Sequence, residues 1–220
     1  MIATTPLSDS IVKLRRLQEA IGSIRKTQLL REFQDDANFR NFLYYALNPM
    51  LSYKISEQTL RSPTRYDSAI TLTMTDIFSV CELLSKRKAL DAGTVYQVCA
   101  FVQSSPPDEA DVYIKLLSKT LRLGVTAKTV NKVIPNLIPE WEIQQAYPID
   151  KYPLKEDTEF WLTQKLNGVR ATYYKGKLYA RSGVPYEGLD HILDALCFDE
   201  EDSYVFDGEL TGSQIRNISN

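Results

Sequence analysis

The sequence is short of the side chains that most often mark a catalytic centre. It carries a single histidine, His191. A histidine-based acid–base pair is therefore excluded, and His191 is expected to face solvent or cap a helix. The three cysteines, Cys81, Cys99 and Cys197, are scattered and odd in number. That pattern suits buried thiols in a reducing compartment better than disulfides or a zinc site. No apolar run is long enough to cross a bilayer. Residues 1–6 lack the basic and apolar regions of a signal peptide, so no membrane partner is expected. There is no internal repeat and no low-complexity tract. The net charge of −2 argues against a wholly basic, histone-like binder, although a local basic stripe remains compatible with nucleic acid.

What is present is a soluble-type composition, 44% hydrophobic and 25% charged, over 220 residues. That length allows one large domain or two small ones. From Ser8 to about Leu123 the apolar spacing is helical. Ile11, Leu14, Leu17 and Ile21 mark one face of a first helix, broken at Gly22-Ser23. Leu29, Leu30 and Phe33 mark a second. Asp35-Asp36 opens a third, stopped at Asn48-Pro49. Leu51–Ile55 reads as a connector and Ser62-Pro63-Thr64 as a turn. Thr75 caps a helix with Ile77, Val80, Cys81 and Leu84, and Asp91–Phe101 supplies another. Ser105-Pro106-Pro107 opens the next, which runs through Leu121 to Gly124. A short helix over Val130 and Val133 follows.

Basic residues cluster at the end of this helical part. Lys115, Lys119 and Arg122 are expected on one helix face, with Lys128 and Lys132 on the next helix. They form either a solvated face or a phosphate-contacting one with the helix N-terminus after Gly124. Beyond Pro135 the period changes to short β-runs at Phe160–Gln164, Val169–Lys175, Lys177–Arg181 and Tyr204–Phe206. Gly176 supplies a hairpin turn and Leu189–Leu196 one short helix.

Lys165-Leu166-Asn167-Gly168-Val169-Arg170 is the chemically suggestive stretch. Read alone, its Asn-Gly pair is a hairpin turn with both residues at positive φ. Read with Arg181-Ser182-Gly183 and Phe206-Asp207-Gly208-Glu209-Leu210, it brings a lysine, arginines and carboxylates onto successive strands. Asp207 and Glu209 alternate along one strand and so share a face. A neutral lysine can attack an α-phosphate if nearby cations or burial lower its pKa. Arg170 or a bound magnesium could supply that positive charge.

These ordered motifs resemble those that open the covalent nucleotidyltransferases: DNA ligases, RNA ligases and capping enzymes. Ala20-Ile21-Gly22-Ser23, Leu51–Ile55, Leu121–Val125 and Asn131–Glu140 are similar to the helical part of the T-even phage class of ATP-dependent DNA ligase. The resemblance implies an α+β fold. An all-α DNA-binding domain would span residues 1–134, with a linker over 135–155. Residues 156–220 would then form the N-terminal part of an antiparallel-β-rich, ATP-grasp-like nucleotidyltransferase domain. By the same resemblance Lys165 is the residue that accepts AMP, with Thr163 and Gln164 near the adenine. Arg170 and Arg181 contact nucleotide or nick phosphates. Glu209, and Asp207 beside it, hold ribose or metal. ATP and Mg2+ are the implied cofactors. The implied setting is a monomer acting on nicked duplex DNA in a bacterial cytoplasm, in replication, repair or recombination. Lys115, Lys119, Arg122, Lys128 and Lys132 would grip the duplex. Asn167 stands where most DNA ligases have aspartate, and no charged role is expected of it. The family's later motifs and OB-fold are not in this sequence, so an N-terminal fragment is expected, not competent alone. Two alternatives stay open: a non-catalytic module that binds duplex or nicked DNA, and an RNA ligase or capping-type enzyme.

Overall fold

The computed structural model describes residues 6–62, 74–87, 89–143, 147–151, 155, 157–159, 166–196 and 205–211. The chain is α+β and divides into two compact units, 1–140 and 141–220.

The first unit is all helix among its described residues. α1 (Leu7–Glu19), α2 (Ser23–Phe33) and α3 (Ala37–Leu47) are followed by a short α4 (Glu57–Arg61). Then come α5 (Ile77–Ser85), α6 (Ala92–Ser104), α7 (Pro107–Leu117) and a five-residue α8 (Ala127–Asn131). Their apolar faces meet in one core that includes Leu14, Leu17, Leu30, Phe39, Phe42, Leu60, Leu84, Leu116 and Val130. Each such side chain, fully buried, contributes about 1.5–3 kcal/mol. Phe42 packs edge-on to Phe78, with ring centroids 4.9 Å apart. Cys81 and Cys99 are buried and in no disulfide among the described residues; Cys197 lies outside the described residues. The core continues past α8, since Ile134 and Ile138 are both buried in it. No helix of the described residues is long and apolar enough to cross a membrane.

Asp36 ties the first three helices together. It caps α3 by accepting from the Phe39 N–H at 3.0 Å, and it accepts from the buried Ser10 hydroxyl of α1 at 2.9 Å. It also pairs with Lys13. A side chain that satisfies a helix end and bridges to a neighbour removes several buried donors from the unsatisfied list at once.

Several local expectations are corrected. The first helix stops at Glu19, and Gly22 at φ 84° turns the chain, leaving Ile21 92% exposed instead of buried. The cap of α5 is Asp76, which accepts from the N–H groups of Phe78 and Ser79, not Thr75. The α4 turn went unread from sequence, although Ser56 is an ordinary cap with its hydroxyl on the Thr59 N–H. α7 ends at Leu117, not Gly124, because Lys119 takes a left-handed φ of 58°.

In the second unit, β1 (Val169–Tyr174), β2 (Lys177–Ala180) and β3 (Phe206–Leu210) form an antiparallel sheet in the order β2-β1-β3. The β1–β2 hairpin turns at Lys175-Gly176, both at positive φ (46° and 73°), as a two-residue primed turn requires. α9 (Asp190–Leu196) brings Ile192, Leu193 and Leu196 against Ala171, Tyr173 and Leu178 on one face of the sheet. His191 on α9 is exposed, as expected. The segment 160–164, expected as a strand, lies outside the described residues.

Candidate functional site

Strand alternation decides which residues can act together. Ala171 and Tyr173 face α9, so Arg170 and Thr172 face the other way. Their directly opposed partners share that face. The register sets Glu209 across from Arg170, and Asp207 and Tyr179 on either side of Thr172. The sheet therefore has one apolar face and one polar face. β3 is longer than the expected Tyr204–Phe206 run, and the Asp207-Gly208 pair sits inside it instead of forming a turn at its end.

On the polar face Arg170 reaches diagonally to Asp207. Its Nε donates to Oδ1 at 2.9 Å and its terminal nitrogen to Oδ2. The Thr172 hydroxyl donates to the same Oδ1 at 3.2 Å. This bidentate fork fixes the guanidinium plane. The Arg170 guanidinium holds the Asp207 carboxyl below its ordinary pKa, against the opposing effect of burial, and Thr172 assists. The Tyr186 hydroxyl donates to the Arg170 carbonyl at 3.0 Å, anchoring the backbone of the same residue.

Arg181 stands exposed in the turn that follows β2. Ala180, the last paired residue of β2, lies opposite Ala171, so the turn leaves the sheet at the end that carries Arg170 and Glu209. The turn is tight, with the Gly183 N–H donating to the Ala180 carbonyl at 2.9 Å. It is also packed: a Cβ on Gly183 would fall 2.7 Å from the Trp141 Cβ. Trp141 in turn lies 4.6 Å from the Tyr179 ring, and its Nε1 is buried with no hydrogen-bond partner among the described residues. Sequence reasoning missed Trp141. Its only signal was an aromatic in a stretch otherwise read as linker.

Asn167-Gly168 is not a primed turn, since neither residue has positive φ. The glycine has a different cause. A Cβ there would lie 3.0 Å from the Leu210 carbonyl carbon, closer still to its oxygen, and 3.1 Å from the Glu209 Cβ. The missing side chain lets β3 approach β1 where Arg170 meets Glu209. Lys165, Thr163 and Gln164 lie outside the described residues. Among the described residues no group of three or more His, Cys, Asp or Glu could hold a metal.

The five basic residues of the helical unit are not equivalent. Lys115, Lys119 and Arg122 do not share a helix face, because only Lys115 is in α7. Lys115 is paired with Asp111 at 2.6 Å. The stem of Lys119 is exposed but its ammonium turns inward, donating to the carbonyls of Asn48 at 2.9 Å and Tyr45 at 3.1 Å. Burial pushes its pKa down to about 8. Arg122, Lys128 and Lys132 are exposed. The α8 N-terminus offers no phosphate cradle, since the Thr126 hydroxyl accepts from the Thr129 N–H in a helix of five residues.

No family model matches the chain. Over 197 residues it is 24% identical to the DNA ligase of Enterobacteria phage T4, a match covering 84% of this chain and 40% of the phage protein. The chain is similar to the T-even phage DNA ligases. The phage T6 DNA ligase matches over the same span at the same identity. The chain thus spans about two-fifths of the length of these ligases. Among solved structures it is similar in fold to Pmar-Lig_PreS3, with a TM-score of 0.60 and 19% identity over 94% of this chain and 51% of that one. Pmar-Lig_Pre. gives a TM-score of 0.59 at 20% identity with the same coverage.

Proposed function

We propose that this chain supplies the DNA-gripping helical part and the first strands of the nucleotide-binding part of an ATP-dependent DNA ligase. Its reaction would pass through a lysyl-AMP on Lys165 and seal nicks in duplex DNA. The observation that carries the reading is the polar face of the sheet. There Arg170, Asp207 and Glu209 converge, on strands of which the first begins just after that lysine, in a chain similar to phage DNA ligases along most of its length.

The roles follow from charge and position. Lys165 as a free amine would attack the α-phosphate of ATP, with pyrophosphate leaving, to give a phosphoramidate; the amine's proton passes to solvent or a nearby base. Arg170, its guanidinium oriented by Asp207, would stabilise the negative charge of phosphate oxygens. Arg181 would do the same from its turn. Thr163 and Gln164 would flank the adenine. Magnesium keeps most of its waters and needs only one or two carboxylates beside the phosphates. Glu209 suits that task or a ribose hydroxyl. Asp207 suits it less, because both its oxygens already accept from Arg170 and Thr172. When bound, the ion would neutralise phosphate charge. In the helical unit Arg122, Lys128 and Lys132 would lie along the duplex backbone, while Lys115 and Lys119 are largely occupied within the fold.

Incubation with α-labelled ATP and magnesium, then denaturing electrophoresis, tests the nucleophile. Covalent label on the wild type that vanishes in Lys165→Ala supports it, and label that persists in that variant refutes it. A chain that takes no label yet binds nicked duplex, with affinity falling steeply as salt rises, favours the second reading, a DNA-binding module. The exposed cations of the helical unit favour that alternative.

A further inference from the structure

Arg181 sits at the tip of a hairpin. After β2 the chain turns through Arg181-Ser182-Gly183 and runs back beside the same strand. The Ala180 N–H donates to the Val184 carbonyl at 2.8 Å, and the Tyr186 N–H to the Leu178 carbonyl at 2.8 Å. Loop tips ordinarily open more easily than the strands they join. This one is pinned from outside. The Trp141 side chain lies against Gly183, where a Cβ would come within 2.7 Å of the Trp141 Cβ, 2.8 Å of its Cγ and 3.3 Å of its Cδ1. Gly183 also has φ 85°, so this glycine meets a conformational and a steric demand at once.

The same ring has a second anchor on the sheet. Its centroid is 4.6 Å from that of Tyr179, with the two planes 34° apart. Tyr179 stands opposite Thr172, on the face that carries Arg170, Asp207 and Glu209. The indole is thus wedged between that face and the hairpin tip. Its Nε1 is buried with no hydrogen-bond partner among the described residues. An unpaired buried donor costs stability, so the N–H does not account for the residue. The ring acting as a wedge does. The Arg181 guanidinium beyond it is exposed and makes no ion pair or hydrogen bond among the described residues.

On this basis we propose that Trp141 is the positioning residue for Arg181. Its ring holds the hairpin tip so that the guanidinium meets a phosphate at the end of the sheet that carries Arg170 and Glu209. The proposal rests on the ligase reading and adds to it a residue outside the lysine, arginine and carboxylate motifs. Without the ring, both the arginine side chain and the turn beneath it must be ordered when the phosphate binds, which lowers affinity. The phosphate has two possible sources, ATP and the 5′ end at a nick.

Two probes of the full chain separate the sources. ATP with magnesium is followed by calorimetry, and a fluorescent nicked duplex with or without its 5′-phosphate by anisotropy. Arg181→Ala is expected to lower affinity for one of these phosphates about tenfold, the worth of a charge-assisted contact. Trp141→Ala is expected to lower affinity for that same phosphate about threefold to tenfold. Trp141→Phe should retain most of it, since a ring remains and the lost N–H bonded nothing. In the Arg181→Ala background, Trp141→Ala should change affinity less than about twofold. A residue that only supported the sheet would weaken binding by the same factor in both backgrounds. Gly183→Ala pushes on the ring from the other side and carries the same expectation if Trp141→Ala does not fold. Losses from Trp141→Ala and Arg181→Ala that multiply overturn the proposal and leave the ligase reading standing. So does a Trp141→Ala chain that binds as the wild type does while Arg181→Ala does not. A phenylalanine variant as poor as the alanine one overturns it too, because the ring would then not be the wedge. A wild type indifferent to both phosphates overturns the proposal together with the role given to Arg181.

Discussion

Gly168 offers a test in which two explanations for one glycine give opposite orders of stability. In sequence, Asn-Gly before a strand points to positive φ. In the fold neither residue has it, and the glycine is there because β3 passes close by. In Gly168→Ala the new methyl would lie 3.0 Å from the Leu210 carbonyl carbon and closer to its oxygen. Comfortable inter-strand C···O contacts are about 3.3–3.6 Å. The obstacle is backbone, so no rotamer change relieves it. Either the strands shift, at an overpacking cost of about 1–3 kcal/mol, or the terminal Val169–Leu210 pair opens. Opening gives up one or two backbone hydrogen bonds at about 1 kcal/mol each. Both routes lead to about 2 kcal/mol, roughly a thirtyfold change in the local closed-to-open ratio.

Gly176 is the control. It has φ 73° and nothing within 4 Å of where a Cβ would stand, so its requirement is conformational alone. Gly176→Ala should cost about 1–2 kcal/mol, and Gly176→Asn less, because asparagine tolerates the left-handed region. At Gly168 the order reverses, with Asn worse than Ala because it is larger. Amide hydrogen exchange at Val169 and Arg170, referenced to Tyr173, reads the local opening, and urea denaturation reads the whole unit. A Gly168→Asn variant as protected as Gly168→Ala or better would refute the steric account.

Further outcomes are expected at Asp36, at the lysines of the helical unit and at Gly183. Asp36→Ala should destabilise the helical unit by about 3 kcal/mol, because it removes a cap and leaves Ser10 and Lys13 without their acceptor; a loss under about 1 kcal/mol by urea denaturation would contradict the bridging role. Burial works against the Asp36 charge, but Lys13, the Phe39 N–H and Ser10 together hold its pKa below the ordinary 3.8. The unfolded chain therefore binds this proton first as pH falls. Its stabilisation is complete above the unfolded value and lost as pH falls through the lower folded one, so Asp36→Asn should flatten that part of an acid titration of stability. Lys119→Ala should cost about 1–2 kcal/mol of stability, through the two carbonyls it leaves, and change duplex affinity less than twofold. Lys128→Ala/Lys132→Ala should do the reverse, reducing the salt slope by about 2; equal effects of the two variants on binding would show that Lys119 reaches DNA after all. Gly183→Ala should displace Trp141, read as a shift in tryptophan emission.

The helical unit was largely legible because its signals are local. Caps such as Asp36 and Asp91 and the apolar spacing of α2, α3 and α6 are written within a few residues of where they act. Ile21 misled because periodicity continues past a helix end that only the Gly22 dihedral reveals. Lys119 misled in the same way: its spacing from Lys115 is helical, yet the helix had stopped. What its ammonium touches, the carbonyls of Tyr45 and Asn48, lies more than seventy residues away in sequence. In the sheet, alternation correctly put Asp207 and Glu209 on one face. The register that sets Arg170 against Glu209 could not be read, because the β1–β3 partners lie dozens of residues apart, Arg170 and Asp207 being separated by 37.

That register has a consequence for the proposed chemistry. Arg170 sits between two carboxylates, directly opposite Glu209 and diagonally bonded to Asp207, and it takes the diagonal one. Choosing Asp207 leaves Glu209 without a bidentate guanidinium partner among the described residues, at the edge where β1 begins. An arginine committed to its opposite neighbour would instead have occupied the carboxylate proposed above for a ribose hydroxyl or a magnesium ion. The Thr172 hydroxyl reinforces the diagonal choice by donating to the same Asp207 oxygen. Thr172→Val would remove that bond with little change in volume. Arg170 would then have less reason to prefer Asp207, and a shift of its guanidinium towards Glu209 should weaken the nucleotide binding proposed for this face. Restoring the hydroxyl with Thr172→Ser should restore binding. Failure of that rescue, with the fold intact, would mean the diagonal pair merely decorates the sheet.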